Sequence, residues 1–200
     1  MKNQAKKVKK VFRLTEAEKR VYMKLKQAYD STPLNEVERD ILAKYEKLCS
    51  EGRWAEMTKA ENDLHKDLNK RSGKGRLPEH AMPNRIPKFT RKSNFLQQVV
   101  FLWGKSKGFC PRIIDVKGTY VDGKYIQSGA TKGVEDVQIL AEGLFIAVEV
   151  KVGRDKMSAH QERQRELIKR NCGVYLEAKD IDIVERLEEV IAEYRRNREH

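Results

Sequence analysis

One stretch constrains this chain more than any other: Leu144-Phe-Ile-Ala-Val-Glu-Val-Lys151. Read as a strand, its side chains alternate, so that Leu144, Ile146, Val148 and Val150 share one face while Phe145, Ala147, Glu149 and Lys151 share the other. The first face is wholly apolar and belongs in a core. Glu149 and Lys151 therefore stand side by side at the end of a central strand, where an unpaired charge is costly unless a partner or a metal compensates it. A second strand, 136 to 141, begins with Asp136, and a short turn at Glu142-Gly143 makes the two strands an antiparallel pair. That pairing brings Asp136 beside Glu149.

Two carboxylates converging with a lysine are the parts needed to hydrolyse a phosphodiester. Magnesium prefers oxygen ligands and keeps several waters, so Asp136, Glu149, the backbone carbonyl of Val150 and a substrate phosphate can complete its shell. The ion would polarise the phosphoryl oxygen and neutralise charge in the transition state. Lys151 could orient or help deprotonate the attacking water, or stabilise the developing charge, and the sequence does not choose among these roles. Glu-x-Lys by itself most often marks an exposed salt bridge. The apolar opposite face, the upstream aspartate and the charge of the chain favour the chemical reading.

The 200 residues carry a formal net charge of +12, which calls for a polyanionic partner. Residues 1 to 92 hold 24 Lys/Arg against 13 Asp/Glu, whereas residues 93 to 200 hold 18 against 17, so the excess is N-terminal. It gathers in a tail (Lys2, Lys6, Lys7, Lys9, Lys10) and between Lys70 and Lys92, where Arg71, Lys74, Arg76, Arg85, Lys88 and Arg91 fall. Two dense clusters around a nearly neutral helical segment point to nucleic-acid backbone contact rather than to a solubilising surface.

Four segments follow from the composition: a basic tail to residue 13, a helical region from 14 to 70, a basic Pro/Gly linker from 71 to 92, and a domain from 93 to 200. Thr15 and Glu18 have capping-box spacing for a first helix with Tyr22, Leu25, Ala28 and Tyr29. Thr32-Pro33 starts a second with the stripe Val37, Ile41, Tyr45, Leu48, and a third carries Trp54, Met57, Leu64 and Leu68. The three stripes are expected to pack on one another. Beyond the linker, Ser93 caps a helix with Leu96, Val99, Val100 and Trp103 inward, and a strand from Arg112 to Val121 turns at Asp122-Gly123. The two strands of the site come next. Ser158 then starts a helix ending near Arg170, Val174 to Glu177 is the last strand, and Asp180 caps a final helix bearing Ile183, Leu187, Ile191 and Tyr194. The fold class is α/β, ordered from residue 93 as helix, three strands, helix, strand, helix.

Gly133-Val-Glu-Asp136, twelve residues, Glu149-Val-Lys151, then Ser158 and Gln161 on the next helix resemble the virus-type replication-repair nuclease (VRR-NUC) branch of the PD-(D/E)XK superfamily. The resemblance spans about residues 93 to 195, including the order of elements. It implies a restriction-endonuclease-like core, magnesium or manganese dependence and a DNA substrate, branched or otherwise structured. By matched position, Asp136 and Glu149 would be metal ligands, Lys151 the catalytic lysine, and Gln161 a helix residue reaching toward the site. The loop Ser128-Gly-Ala-Thr-Lys-Gly133 looks like the family's small-residue approach to the aspartate, with Lys132 a further phosphate contact. A homodimer is compatible with the resemblance. Two positions depart from it. Glu135 replaces the family's frequent proline and is read as a surface charge in preference to an extra ligand, and the first core helix offers Gln97 or Gln98 where many relatives carry an acid. The second departure supports an alternative reading, a DNA-binding or assembly protein on a nuclease fold without activity.

Other chemistry is weakly supported. Cys49, Cys110 and Cys172 are odd in number and widely spaced, and His65, His80, His160 and His200 are scattered and expected to be exposed, so neither a disulfide framework nor a zinc site is suggested. No strictly apolar run exceeds the five residues of Val99–Trp103, far short of the roughly 20 that span a bilayer, and the lysine-rich start lacks the apolar stretch of a signal peptide. A cytoplasmic location without membrane contact is expected.

Overall fold

The computed structural model describes residues 12–72, 86–114, 119–121, 124–126 and 133–199. The chain divides into two compact units, residues 1–25 with 86–200, and residues 26–85, and the division falls inside the first helix.

The larger unit is mixed α/β. It contains the first half of α1 (Glu16–Ser31), α4 (Lys92–Ser106), α5 (Ala159–Arg170) and α6 (Ile183–Arg198). A four-stranded mixed sheet is built from β1 (Cys110–Ile113), β4 (Val137–Ala141), β5 (Leu144–Val150) and β6 (Val174–Ala178), in the order β1-β4-β5-β6. The first three strands are antiparallel, and β6 joins β5 in parallel after the α5 crossover. A separate antiparallel pair, β2 (Thr119–Val121) and β3 (Lys124–Ile126), lies between β1 and β4 in sequence. The single strand expected from Arg112 to Val121 is thus two, because β1 ends at Ile113 and only its segment pairs with β4. The Asp122-Gly123 turn falls outside the described residues.

Both faces of β5 are covered, which explains its nearly unbroken apolar run. On one face Val137 and Ile139 of β4 lie opposite Val148 and Ile146, all fully buried. On the other, Ala147 packs with Ile168 of α5 and Tyr175 of β6, flanked by Phe145 and Met157. Helix α4 is buried on most sides, with Phe95, Leu96, Val99, Val100 and Trp103 all at zero exposure, and its Trp103 indole donates to Glu188 of α6 at 2.8 Å. Phe95 also closes an aromatic group with Tyr22 and Phe89. Phe89, read from sequence as the end of a linker, is therefore core.

The β4–β5 hairpin turns through Glu142 and Gly143, both at positive φ (53° and 93°), as a twist-matched two-residue turn requires. Arg195 of α6 pairs with the Glu142 carboxylate, and Arg198 donates to its carbonyl at 3.0 Å. The Thr15–Glu18 capping box forms as expected, and so does that of Ser158 with Gln161. Helix α4 begins at Lys92 with no side-chain cap, so Ser93 is inside it, and Asp180 holds the Ile181 amide in a turn ahead of α6.

In the smaller unit, α2 (Glu36–Ser50) starts three residues after Pro33, because Asn35 and Glu38 form the capping box. A 3-10 turn (Trp54–Glu56) and α3 (Lys59–Arg71) follow. Its core is Leu34, Leu42 and Leu68 with Ile41, whereas Val37 and Leu64 of the expected stripes are exposed. Tyr22 of the expected α1 stripe belongs to the larger unit, where it packs with Phe89 and Phe95. Arg71, counted in the second basic cluster, is buried instead. It forks onto Glu38 and stacks over Tyr29.

Gly133 sits at φ +85°, and a Cβ there would lie 2.6 to 2.8 Å from the backbone and Cβ of His160 at the start of α5. Gly153 is also left-handed, at φ +68°, but has nothing within 4 Å. Gly153→Ala is expected to cost about 1–2 kcal/mol for its backbone alone. Gly133→Ala should cost about 1–3 kcal/mol beyond that for the forced contact. Urea unfolding of both variants measures the difference, and equal losses would refute the close approach.

Candidate active site

The site forms where the start of β4 meets the end of β5. Asp136 is fixed at three points: its carbonyl accepts from the Ile114 amide at 2.8 Å, Oδ2 from the Val150 amide at 2.8 Å, and Oδ1 from Gln97 Nε2 at 3.0 Å. Between the two candidate glutamines, α4 directs Gln97 at the aspartate.

Glu149 and Lys151 are buried, at 3% and 9% exposure, and their ion pair measures 3.0 Å. Gln161 completes this arrangement from α5. Its amide nitrogen donates to Glu149 Oε1, while its Oε1 accepts from Lys151 Nζ at 2.9 Å and from the Ser158 amide at 2.9 Å. Asp136, Glu149, Lys151 and Gln161 are thus brought together as the spacing and the resemblance led one to expect, with Val150 between them. His160, beside Gln161, is exposed and meets Gly133 through its backbone.

Glu135 departs from expectation. It is 1% exposed rather than a surface charge, and neither carboxylate oxygen has a hydrogen-bond partner. The close seat of Gly133 on α5 draws the 133–136 segment inward, which no sequence pattern around Glu135 signals. Tyr175, also missed, is 7% exposed with an unpartnered hydroxyl, and it belongs to the site through the register of β6, where it lies opposite Ala147.

The electrostatics follow from this burial. Glu149 is pushed up to about 7, first by loss of water and then by the charge of Asp136, with Glu135 adding to the rise and Lys151 opposing it. The Tyr175 phenol is likewise raised by burial and by the carboxylates of Glu149 and Glu135.

A cleft of about 660 Å³ opens at the rim. Asp136, Glu149 and Val150 line it together with Gln97, Gln98, Asn94, and the exposed Lys88 and Arg91. Lys92 is tied into ion pairs with Asp180 at 3.1 Å and Glu18 at 3.9 Å. The expected nucleic-acid contacts Lys6, Lys7, Lys9, Lys10, Lys74, Arg76, Arg85 and Lys132 lie outside the described residues.

The donor set fits a hard cation that keeps much of its water. Glu149 Oε2 is buried without a partner, and each Asp136 oxygen takes only one N–H, which leaves lone pairs on both carboxylates. Among the described residues no three His, Cys, Asp or Glu side chains converge on one point, so two acids at most would serve any single ion. No described helix is long and apolar enough to cross a membrane. Comparisons with protein-family models, with curated proteins and with solved structures found no match.

In metal-free protein the fold prefers Glu149 neutral, so its contribution to stability is present below the ordinary value of 4.5 and is lost as pH rises through about 7. Relative to Glu149→Gln, the wild-type thermal midpoint in chelator should fall across that window. Parallel pH profiles for the two proteins would contradict the burial of this charge.

Proposed function

We propose that this chain is a divalent-cation-dependent endonuclease that hydrolyses phosphodiester bonds in branched or structured DNA, on a restriction-endonuclease-like core of the VRR-NUC branch. The observation that carries the reading is the meeting of Asp136 and Glu149 in a cleft that also presents Lys88 and Arg91, with Lys151 paired to Glu149 behind them. The order of elements supports it too: a helix, an antiparallel pair bearing the acids, and a helix that crosses to a parallel strand.

A magnesium or manganese ion held by Asp136, Glu149 and the Val150 carbonyl would supply a Lewis acid for the scissile phosphate. Lys151, anchored by Glu149 and Gln161, sets a positive charge beside the two acids, where it can oppose phosphate oxygens or orient a water. Gln97 and the Val150 amide fix the aspartate so that little reorganisation is needed on binding. Lys88 and Arg91 give the cleft a phosphate-attracting wall, with the basic tail and linker as further backbone contacts. Two copies of the chain would present one centre to each strand of a duplex.

One observation favours a second reading, a nuclease fold that binds DNA or assembles without cutting. Helix α4 directs an amide rather than a carboxylate at Asp136.

A cleavage panel of linear, flapped, forked and four-way DNA with magnesium, manganese or calcium separates the two readings. Asp136→Ala and Lys151→Ala are each expected to lower metal-dependent cleavage by at least about 100-fold while DNA binding persists. Cleavage unchanged in both variants would remove the enzymatic reading. Calorimetric magnesium uptake without turnover on any DNA would support the second.

A further inference from the structure

Helix α4 lines the cleft with a row of polar side chains that the fold itself does not use. Arg91 at the N-cap, Asn94 and Gln98 follow one another at three and four residues, a spacing that sets side chains along one helix face, and all three line the cleft. Neither these side chains nor that of the neighbouring Lys88 forms a hydrogen bond or ion pair with any described residue. The residues between them are committed elsewhere: Gln97 donates to Asp136 at 3.0 Å, and Lys92 pairs with Asp180 and Glu18. The unused set therefore changes character along the cleft, from two cations, Lys88 and Arg91, to two neutral amides, Asn94 and Gln98.

Cations and amides suit different parts of one ligand. Lysine and arginine attract phosphate whatever the sequence, whereas a primary amide carries an acceptor and two donors on one plane and matches the edge of a base. The same cleft offers apolar surface from the exposed Pro87 and the half-buried Ile113 and Ile114, the kind of surface a base needs once it leaves its stack. Both sets are tied to the acid. Gln97, adjacent to Gln98, bonds Asp136 from α4, and the Ile114 amide, just past the end of β1, donates to the Asp136 carbonyl at 2.8 Å. A base that touches both sets thus lies beside a phosphate that reaches Asp136. At about 660 Å³ the cleft falls in the range of roughly 300–1,000 Å³ that encloses a small molecule, which suits an unpaired nucleotide and not a duplex.

We propose that Asn94 and Gln98 form a nucleobase subsite. Their amides read the edge of one unpaired base of the substrate strand, which packs on Pro87, Ile113 and Ile114 while Lys88 and Arg91 hold its phosphates. The inference rests on the nucleic-acid reading of the cleft, and it narrows the substrate to DNA with an unpaired base next to the bond that is cut.

The test measures binding by the full chain, with calcium in place of magnesium, through the fluorescence anisotropy of probes of equal length: a mixed-sequence single strand of DNA, a fully abasic strand and a blunt duplex. Wild type should bind the single strand about 10-fold more tightly than the abasic strand. In the double variant Asn94→Ala/Gln98→Ala that ratio should fall toward unity, whereas Lys88→Ala should weaken both strands by the same factor and keep the ratio. Equal wild-type affinity for normal and abasic strands, or a ratio that the double variant keeps, would overturn the proposal. So would a loss on the duplex as large as that on the single strand, which would put the amides in a groove of paired DNA. Should the double variant not fold, the wild-type ratio and the two single variants decide by the same criteria. The expected ratios with no cleavage of any DNA would sink the nuclease reading and leave the subsite standing. Metal-dependent cleavage with a wild-type ratio of unity would do the reverse.

Discussion

The ion pair between Glu149 and Lys151 sets the terms for the rest of the larger unit. Two charges nearly out of water, 3.0 Å apart at the end of an apolar strand, are tolerable only with further hydrogen bonds to absorb what the pair leaves over. Those bonds come from Gln161, so α5 has to begin where it does, and Ser158 caps it there. The α5 crossover in turn requires a parallel β6, which brings Tyr175 under the same helix. On the opposite face Val148 and Ile146 lie against Val137 and Ile139, all four buried and uncharged.

Most of this was legible because β5 alternates so cleanly. The face assignments, the hairpin at Gly143, and the encounter of Asp136 with Glu149 follow from a period of two and a short turn, and each is found. What escaped was long-range. Nothing local distinguishes a buried Glu135 from a surface one, since its burial depends on Gly133 docking against a helix some 27 residues later. Phe89 sits among prolines and lysines, and only its contacts with Tyr22 and Phe95 make it core. In α2, an equally good helical stripe could be drawn through Val37, but the capping box at Asn35 and the partners in α3 select Leu42. Which of two neighbouring glutamines faces the aspartate was a matter of roughly 100° of helix rotation, beyond what a hydrophobic pattern can resolve.

The two units use basic residues differently. In the smaller one, cations are spent on internal order: Arg71 on Glu38, and Lys26 and Lys70 on Asp30. In the larger one, Lys88 and Arg91 are left exposed along the cleft while their neighbour Lys92 is drawn into the fold by Asp180 and Glu18. A high net charge thus says little about which cations are available. Arg91 is the N-cap of α4 and stays exposed, whereas Lys92, its first residue, pairs with Asp180 and Glu18.

Gln161 shows how narrowly a residue can be specified by holding two offices. As the third residue of a capping box, glutamine and glutamate are interchangeable, for either can accept the Ser158 amide. Here the same side chain must also donate to Glu149 while accepting from Lys151. A carboxylate could do the accepting but would press a like charge on Glu149, and an apolar residue could do neither. Only a primary amide, with a donor and an acceptor on one planar group, satisfies helix and charge pair together, so the grammar of the helix start and the chemistry of the site converge on a single choice of side chain.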